Sequence, residues 1–321
     1  MYSRAMEFPV SGVTVSPFVP PIVAFAISFV TSMGGVSGAF LLLPFQMSVL
    51  GYTSPSVSAT NQVFNIVAIP SGVWRYLKEG RMVWPLTWLV VIGTLPGVLV
   101  GAVIRVRYLP DPRAFKLFAG CVLLYIGARL VRDLTRRSSG PAASKNAETR
   151  FQELVAKHAA DTHERGRELP ATVVEALSPW RITYSFYGER YEVSTVTVIT
   201  LSLVVGIVGG IYGIGGGAII APFFVAILGL PIYTVAGAAL MGTFVTSVAS
   251  VAFYQILALQ TPELTVAPDW QLGLLFGLGG MAGMYCGARA QKHVPARLIK
   301  IMLALVIVST AARYVIGFFK S

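Results

Sequence analysis

Acidic residues are scarce in this sequence, and none lies in the middle of an apolar stretch. The 14 Asp and Glu residues occur in the N-terminal tail, in connections and at the ends of apolar stretches, and most lie between residues 133 and 192. Proton relays and tight cation sites in membranes usually depend on carboxylates inside the bilayer. This distribution therefore argues against a cation pump and against an antiporter driven through carboxylates.

Cysteine and histidine are rare as well, with two Cys and three His in 321 residues. The two cysteines, Cys121 and Cys286, do not have the spacing of a metal site. No Ser-His-Asp or Cys-His set and no phosphate-binding loop is recognisable. We therefore expect no enzyme activity, no cofactor and no bound metal ion.

Charged residues make up only 12% of the chain and apolar residues 55%, whereas soluble domains have about 25% charged residues. The net charge of +11 comes from Lys and Arg at the ends of apolar stretches and in the central connection. Because no basic face is interleaved with aromatic residues, we expect no nucleic acid as a partner. Basic flanks are typical of membrane helices, so the expected partner is a lipid bilayer. We expect lipid headgroups, rather than a ligand, around five flanking arginines: Arg75, Arg105, Arg129, Arg289 and Arg313.

Ten apolar stretches flank a polar middle segment. They cover residues 17–33, 38–50, 56–77, 84–104 and 113–131 in the first half, and 194–210, 214–229, 232–258, 270–290 and 298–319 in the second. A helix that spans a bilayer needs about 20 residues, and the first two stretches of each half are shorter. Continuous hydrophobicity without alternation predicts helices rather than the strands of a barrel.

The two halves of the sequence match each other. A shift of 178 residues aligns GGVSGAFLLLP (34–44) with YGIGGGAIIAP (212–222), and both motifs are followed by similar segments in the same order. This agreement predicts an internal duplication. The predicted fold is an all-α, polytopic membrane protein with two homologous repeats, each with a Gly-broken helix pair plus three transmembrane helices, giving 8–10 membrane segments. The predicted domains are the first transmembrane repeat (1–131), a polar cytoplasmic loop or small insertion (132–192) and the second transmembrane repeat (193–321).

The polar middle segment and the charged connections predict an orientation. RITYSFYGERYEV (181–193) predicts a pair of short strands, and residues from about 147 to 168 predict a charged surface helix. Basic connections favour the cytoplasmic side, and the acidic connection at 260–269 favours the outside. The repeats are inverted if each half crosses an odd number of times. They are parallel if each Gly-broken pair counts as one crossing, and the sequence leaves both arrangements open.

Glycine clusters separate the first two stretches of each half. Glycine in a helix interior costs about 1 kcal/mol relative to alanine, so the clusters at 34–38 and 213–217 predict breaks in the helices. A helix that begins at such a break directs unpaired N–H groups and about half a positive charge toward it, which favours an anion. The alternative is a tight loop between two hairpinned helices.

Polar side chains that follow each break complete the candidate site. Asn61 and Asn65 lie four residues apart and therefore on one face of a helix, and Thr243 lies in the equivalent stretch of the second half. Neutral donors suit a small oxyanion, although the same groups can instead form hydrogen bonds between membrane helices. The candidate substrate-binding residues are Gly34, Gly35, Ser37, Gly38, Asn61, Asn65, Gly213, Gly215, Gly216, Gly217 and Thr243.

In its paired Gly-rich motifs, each followed by a proline, and in the polar SATN segment (58–61), the chain resembles the sulfite exporter TauE/SafE family of membrane proteins. The resemblance covers both apolar halves and excludes residues 132–192. It implies transport of sulfite, of sulfonates such as sulfoacetate, or of related small sulfur-containing anions.

We therefore expect a secondary transporter in the plasma membrane with several crossings, whose partner is a small anionic substrate. One alternative is an uncoupled channel or facilitator for small oxyanions or carboxylates. Another is a receptor or scaffold that uses the middle segment without transporting anything. Assembly into a homo-oligomer is open on the sequence alone.

Overall fold

A computed structural model describes residues 5–33, 36–78, 80, 82–135, 172–186, 189–290 and 296–320. The helices of the first half are α1 (Val19–Met33), α2 (Ala39–Ser48), α3 (Ser56–Lys78), α4 (Trp84–Arg107) and α5 (Pro112–Thr135). Those of the second half are α6 (Thr195–Tyr212), α7 (Ile220–Leu228), α8 (Ile232–Gln260), α9 (Trp270–Ala290) and α10 (Ala296–Lys320). The predicted, mostly helical fold is confirmed, and each apolar stretch overlaps one helix.

Three of the described helices, α4, α6 and α8, are long and apolar enough to cross a membrane, with mean hydropathies of 2.2, 2.0 and 1.7. By contrast, α2 has only 10 residues and α7 only 9. At a rise of about 1.5 Å per residue, these two helices reach about half way through a hydrocarbon layer of about 30 Å.

Helix α1 enters the bundle and α2 returns toward the same end, because α1 and α3 both run parallel to α9. Along α9, Gly279 contacts Pro21 of α1, and Gly287, two turns later, contacts Phe29 of α1. In the same direction, Gly273 contacts Val63 of α3, and Gly277 contacts Val67. Since α1 and α3 share a direction, the chain must return along α2 before α3 begins.

In the second half, α6 likewise enters the bundle beside α4, and α7 returns toward the same end. Contacts from α4 pair Gly93 with Ser202, Gly97 with Leu203 and Gly101 with Ile207, so α6 runs parallel to α4. Near the start of α8, Gly237 packs against Met82, which lies just before α4. Because α6 and α8 both begin where α4 begins, the chain must return along α7.

The two central helices, α3 and α8, cross the bundle in opposite directions. Tyr76, near the end of α3, packs against Gly237, near the start of α8. At the other end, the amide of Ser56 at the start of α3 donates to the carbonyl of Thr265, beyond the end of α8, at 3.0 Å. Polar side chains of both helices therefore meet in the middle of the bundle.

At the periphery of the bundle, α5 packs mainly on α10. Gly120 contacts Tyr314 and Gly127 contacts Val308, so these two helices are also antiparallel. Among the described helices, α10 is the one partner with which α5 makes extensive contact. The pair α5–α10 is therefore attached to the rest of the bundle less tightly than the other helices are.

Three strands, β3 (Val173–Leu177), β4 (Arg181–Phe186) and β5 (Glu189–Ser194), form an antiparallel sheet before α6. The predicted strand pair is confirmed, because β4 and β5 pair along their whole length. Strand β3 and the hairpin of β1 (Met6–Phe8) and β2 (Val13–Val15) were not expected, since such short strands carry little alternation. The helix predicted at about 147–168 lies outside the described residues.

The two small sheets lie at opposite ends of the bundle, which we call the sheet end and the hairpin end. The Tyr184 hydroxyl of β4 lies 3.1 Å from Thr234 Oγ1 at the start of α8, which defines the sheet end. Burial raises the pKa of the Tyr184 phenol well above its usual range, so it remains neutral there. At the hairpin end, Ser11 Oγ donates to Asp269 Oδ2 at 2.8 Å, just before α9.

Close packing between α4 and α6 can be tested with Gly101→Ala. A Cβ at Gly101 would lie 2.5 Å from the Ile207 carbonyl oxygen and 2.6 Å from the Ile211 nitrogen. We expect this overlap to destabilise the protein by about 1–3 kcal/mol. The matched control is Gly317→Ala in α10, where a Cβ meets no atom within 4 Å. Thermal unfolding in detergent measures both, and equal Tm values for the two variants would contradict the assigned packing.

Candidate anion site at the glycine breaks

The second glycine cluster separates α6 from α7 by a buried, non-helical turn. Helix α6 ends at Tyr212, and α7 begins at Ile220. Gly213 and Gly215 have φ values of 81° and 85°, in the left-handed region that glycine adopts far more easily than other residues. All residues from 213 to 219 are buried, so the polar groups of this turn must find partners inside the protein.

Asparagine side chains of α3 bind the carbonyl groups that the end of α6 leaves unpaired. Asn61 Nδ2 donates to the carbonyl of Gly213 at 3.0 Å, and Asn65 Nδ2 donates to that of Ile214 at 2.9 Å. The same Asn61 nitrogen donates to the carbonyl of Ala39, the first residue of α2, at 3.0 Å. Asn61 therefore joins the turn before α7 to the start of α2.

Two of the predicted site residues, Gly34 and Gly35, lie outside the described residues. Ser37 is described, and its hydroxyl donates to Asn65 Oδ1 at 2.6 Å. It also accepts a hydrogen bond from the Ala39 amide at 3.3 Å. Ser37, Asn61 and Asn65 are thus brought together at the start of α2.

Gly38 and Gly216 both lie where a side chain would overlap its neighbours. A Cβ at Gly38 would lie 2.5 Å from Ser28 Oγ and 3.1 Å from Phe64. At Gly216, a Cβ would overlap the Thr94 side chain of α4. These glycines allow the backbone at the two breaks to approach α1, α3 and α4 closely.

Threonine hydroxyls of α8 contact the second break from the other side. The Gly216 amide donates to Thr246 Oγ1 at 3.2 Å, while the Thr246 hydroxyl donates to the Gly242 carbonyl at 2.8 Å. Thr243, a predicted site residue, donates to the Ala239 carbonyl of its own helix at 2.8 Å. In this conformation Thr243 therefore contributes packing and an acceptor oxygen, and its own proton is already bound.

Several hydrogen-bond donors beside the second break have no acceptor of good geometry within the described part of the chain. Among them are the backbone amides of Gly215 and Gly217 and Nε2 of Gln62. The other end of the Gln62 amide, Oε1, accepts from Ser247 Oγ at 2.6 Å. A Cβ at Gly215 would lie 2.8 Å from Thr243 Cγ2, 3.1 Å from Ser247 Oγ and 3.3 Å from Gln62 Oε1, so these groups converge.

The surroundings of these donors are buried and uncharged. Within the described residues, the neighbouring polar side chains with no exposed surface include Ser37, Gln46, Ser58, Asn61, Gln62, Asn65, Thr94, Thr243, Thr246 and Ser247. One acceptor, Gln46 Oε1, also lacks a partner. Because unpaired donors outnumber it and no described carboxylate lies among these residues, the arrangement suits a small ligand that accepts hydrogen bonds.

Gln62 and Ser247 lie in the two polar stretches that follow the breaks, but they are not among the candidate substrate-binding residues predicted from the sequence. Gln62 follows Asn61 and lies on a different part of the helix surface, and its contact with Ser247 joins residues 185 positions apart. The sequence signal for Ser247 was a polar side chain within the largely apolar helix α8. Contacts between α3 and α8 depend on the crossing of the two helices, which one sequence does not specify.

Arg105 corrects an expectation from the sequence. It was expected to reach the headgroups, but its side chain is fully buried. Helix α4 continues to Arg107, beyond the predicted end at 104, and the chain then turns so that the Leu109 carbonyl accepts from Arg105 Nη1. The turn, which the apolar pattern does not encode, places this cation inside the protein.

Comparison with known families gives one match. The family model of the sulfite exporter TauE/SafE matches residues 21–314, which include both helical halves and the segment between them. Neither a search of curated proteins nor a search of solved structures found a match. With the helices that are able to cross a membrane, this match over nearly the whole chain shows that the protein belongs to the sulfite exporter TauE/SafE family of membrane transporters.

Proposed function

We propose that this protein is a secondary transporter that carries small sulfur-containing anions, such as sulfite or a sulfoacetate-like organosulfonate, across the plasma membrane. Membership of the family supports transport of a sulfur anion by an exporter-type membrane protein. The proposed binding site lies between the two glycine breaks. The observation that carries this placement is the set of unpaired donors at Gly215, Gly217 and Gln62.

The chemistry of a small oxyanion matches these donors. Hydrogen bonds from neutral donors to an ionised oxygen are shorter and about twice as strong as those between neutral groups. The first turn of α7 adds the partial positive charge of a helix N-terminus. An oxyanion has several acceptor oxygens and no proton to donate, so it can satisfy all three groups together.

We infer that the halves 1–131 and 193–321 are inverted repeats around a pseudo-two-fold axis. Helices α3 and α8, equivalent in the 178-residue shift, run antiparallel through the centre, and so do α5 and α10. The contact of α1 with α9 corresponds to that of α6 with α4. Six helices would then cross the membrane completely, while α1–α2 and α6–α7 would each enter and return, as in other transporters with inverted repeats.

Access to this site requires a conformational change. Every proposed ligand residue in the described part is buried, so an anion reaches the donors only when one half moves relative to the other. In inverted-repeat transporters such movement exposes a central site to each side in turn. The residues 132–192 would form a cytoplasmic insertion, of which the described strand β4 lies at the sheet end.

Flux measurements test the function. In liposomes that contain the purified full chain, we expect uptake of radiolabelled sulfite, with competition by sulfoacetate and weaker competition by sulfate and acetate. Accumulation above the external concentration under an imposed ion gradient supports secondary transport. Flux that stops at equal concentrations instead supports a channel, and absence of flux for every sulfur anion rejects the proposal.

A Gln62→Met substitution tests the site. It keeps the length of the side chain and removes Nε2, so we expect sulfite affinity to fall by about tenfold or more, because a hydrogen bond to a charged group contributes about 1.5–3 kcal/mol. The control is Gln260→Met, the same change at an exposed position at the end of α8. Isothermal titration of the purified protein measures both variants. Unchanged affinity in Gln62→Met would show that the donor does not contact the anion.

A further inference from the structure

Arg105 carries the only cationic side chain that is fully buried among the residues whose exposure is described. Its guanidinium lies 3.7 Å from the ring centroid of Phe115, and Nη2 lies 3.5 Å from the Thr53 carbonyl oxygen. Nη1 donates to the Leu109 carbonyl, and Nε has no acceptor. No carboxylate pairs with this cation within the described part of the chain.

A buried cation without a counter-ion is unusual in a membrane protein. Charged side chains at membrane depth are costly, and they generally pair with opposite charge or mark a path for ions. Two backbone carbonyls satisfy part of the guanidinium, in the manner of a cap at the end of α4. A capping role alone does not account for the unpaired Nε or for the hydroxyl groups beside it.

A row of buried polar groups connects Arg105 with the second break. Tyr254 of α8 packs in one buried cluster with Ala102 and Val106, which flank Arg105 in α4. Its hydroxyl interacts with Arg105 and with the Ser58 hydroxyl of α3. The two hydroxyls face each other outside good hydrogen-bonding geometry, neither has another partner among the described residues, and both are buried. Ser58 in turn lies against Gly213, where a Cβ would overlap it.

Phe115 of α5 covers the Arg105 end of this row. Its ring lies over the Arg105 guanidinium on one side, and its centroid is 6.5 Å from that of Tyr212, the last residue of α6, on the other. Phe115 has no exposed surface. Because α5 belongs to the peripheral pair α5–α10, a shift of α5 would uncover Arg105 without a rearrangement of the central helices.

We propose that Arg105, Tyr254 and Ser58 form a second anion site, which lies between the hairpin end of the bundle and the glycine breaks. The ligand is the same class of small oxyanion as in the proposed function, on which this inference rests. Arg105 supplies the charge that the central site lacks, and the two hydroxyls supply donors between the two sites. Phe115 closes this second site in the conformation described here.

Stoichiometry of binding tests the second site separately from the central one. Titration of the purified full chain with sulfite is expected to give two sites for the unchanged protein. Gln62→Met should weaken one of them, and Arg105→Gln should weaken the other by about tenfold or more. The control is Arg107→Gln, which removes an exposed guanidinium two residues further along α4 and should leave both sites unchanged.

Each outcome separates the two proposals. If the unchanged protein binds no sulfite, both fail. If Arg105→Gln retains both sites and only lowers the Tm, Arg105 is a structural cap and the second site is rejected, while the central site stands. If Arg105→Gln does not fold, Tyr254→Phe decides: a loss of about threefold or more in affinity at one site supports the second site, and unchanged affinities reject it.

Discussion

Asn61→Asp is expected to remove most sulfite transport, although it only replaces one NH2 group by an oxygen. Asn61 Nδ2 donates to the carbonyls of both Ala39 and Gly213, which belong to different halves of the chain. A carboxylate would place an oxygen against two carbonyl oxygens, and each buried acceptor left unpaired costs about 1–3 kcal/mol. Its negative charge would also repel an anion from the neutral site. We expect transport to fall by about a hundredfold or more.

The control for this substitution is Gln260→Glu. It makes the same change from amide to carboxylate at an exposed position of α8, so it should leave the transport rate within about twofold of the unchanged protein. Thermal unfolding in detergent, measured beside the flux, shows how much of the loss comes from instability. Transport by Asn61→Asp at the rate of the control would mean that the contact between the two breaks is not needed.

Much of the helical framework could be predicted because its signals are local. The stretch 270–290 was predicted from hydrophobicity alone, and α9 extends from Trp270 to Ala290. For α3, the predicted stretch 56–77 differs by one residue from Ser56–Lys78. Apolar side chains and the charged or polar residues that end each run are adjacent in sequence, so periodicity and length suffice to place these helices.

The roles of the site residues were harder to predict. Asn61 and Asn65 were expected to donate to the anion, and that role remains a prediction, but here their N–H groups donate to backbone carbonyls. The N–H groups exposed at the start of α2 and α7 favour an anion. The carbonyls exposed at the end of α6 need donors equally. A count of both kinds of unpaired group would have suggested these two asparagines as their partners.

Contacts between distant parts of the chain account for the remaining differences. Gln62 meets Ser247 because α3 and α8 cross, and Arg105 is buried because α5 packs Phe115 over it. Neither contact has a signature in the residues adjacent to it. Both contacts involve polar groups in apolar surroundings. In a membrane protein such buried polar groups indicate a functional site, even before the residues that they contact are known.

Gly213→Ala is expected to have an effect as large as that of Asn61→Asp, through the backbone. Gly213 has a φ of 81°, where alanine costs about 1–2 kcal/mol. A Cβ there would also overlap the side chain of Ser58 and lie 2.7 Å from its Cα. The turn must then move away from α3, which would separate the Gly213 carbonyl from Asn61. We expect transport to fall by about a hundredfold and the Tm to fall with it.

The matched control is Gly51→Ala, since Gly51 has a φ of 69° and no atom lies within 4 Å of its Cβ position. It carries the backbone strain of Gly213→Ala without the overlap, so we expect a small decrease in Tm and almost unchanged transport. Adding Ser58→Gly to Gly213→Ala should restore little activity, because the Cα of residue 58 remains too close. If Gly213→Ala transports sulfite as Gly51→Ala does, tight contact between the second break and α3 is not required. The central site would then have to be sought elsewhere in the bundle.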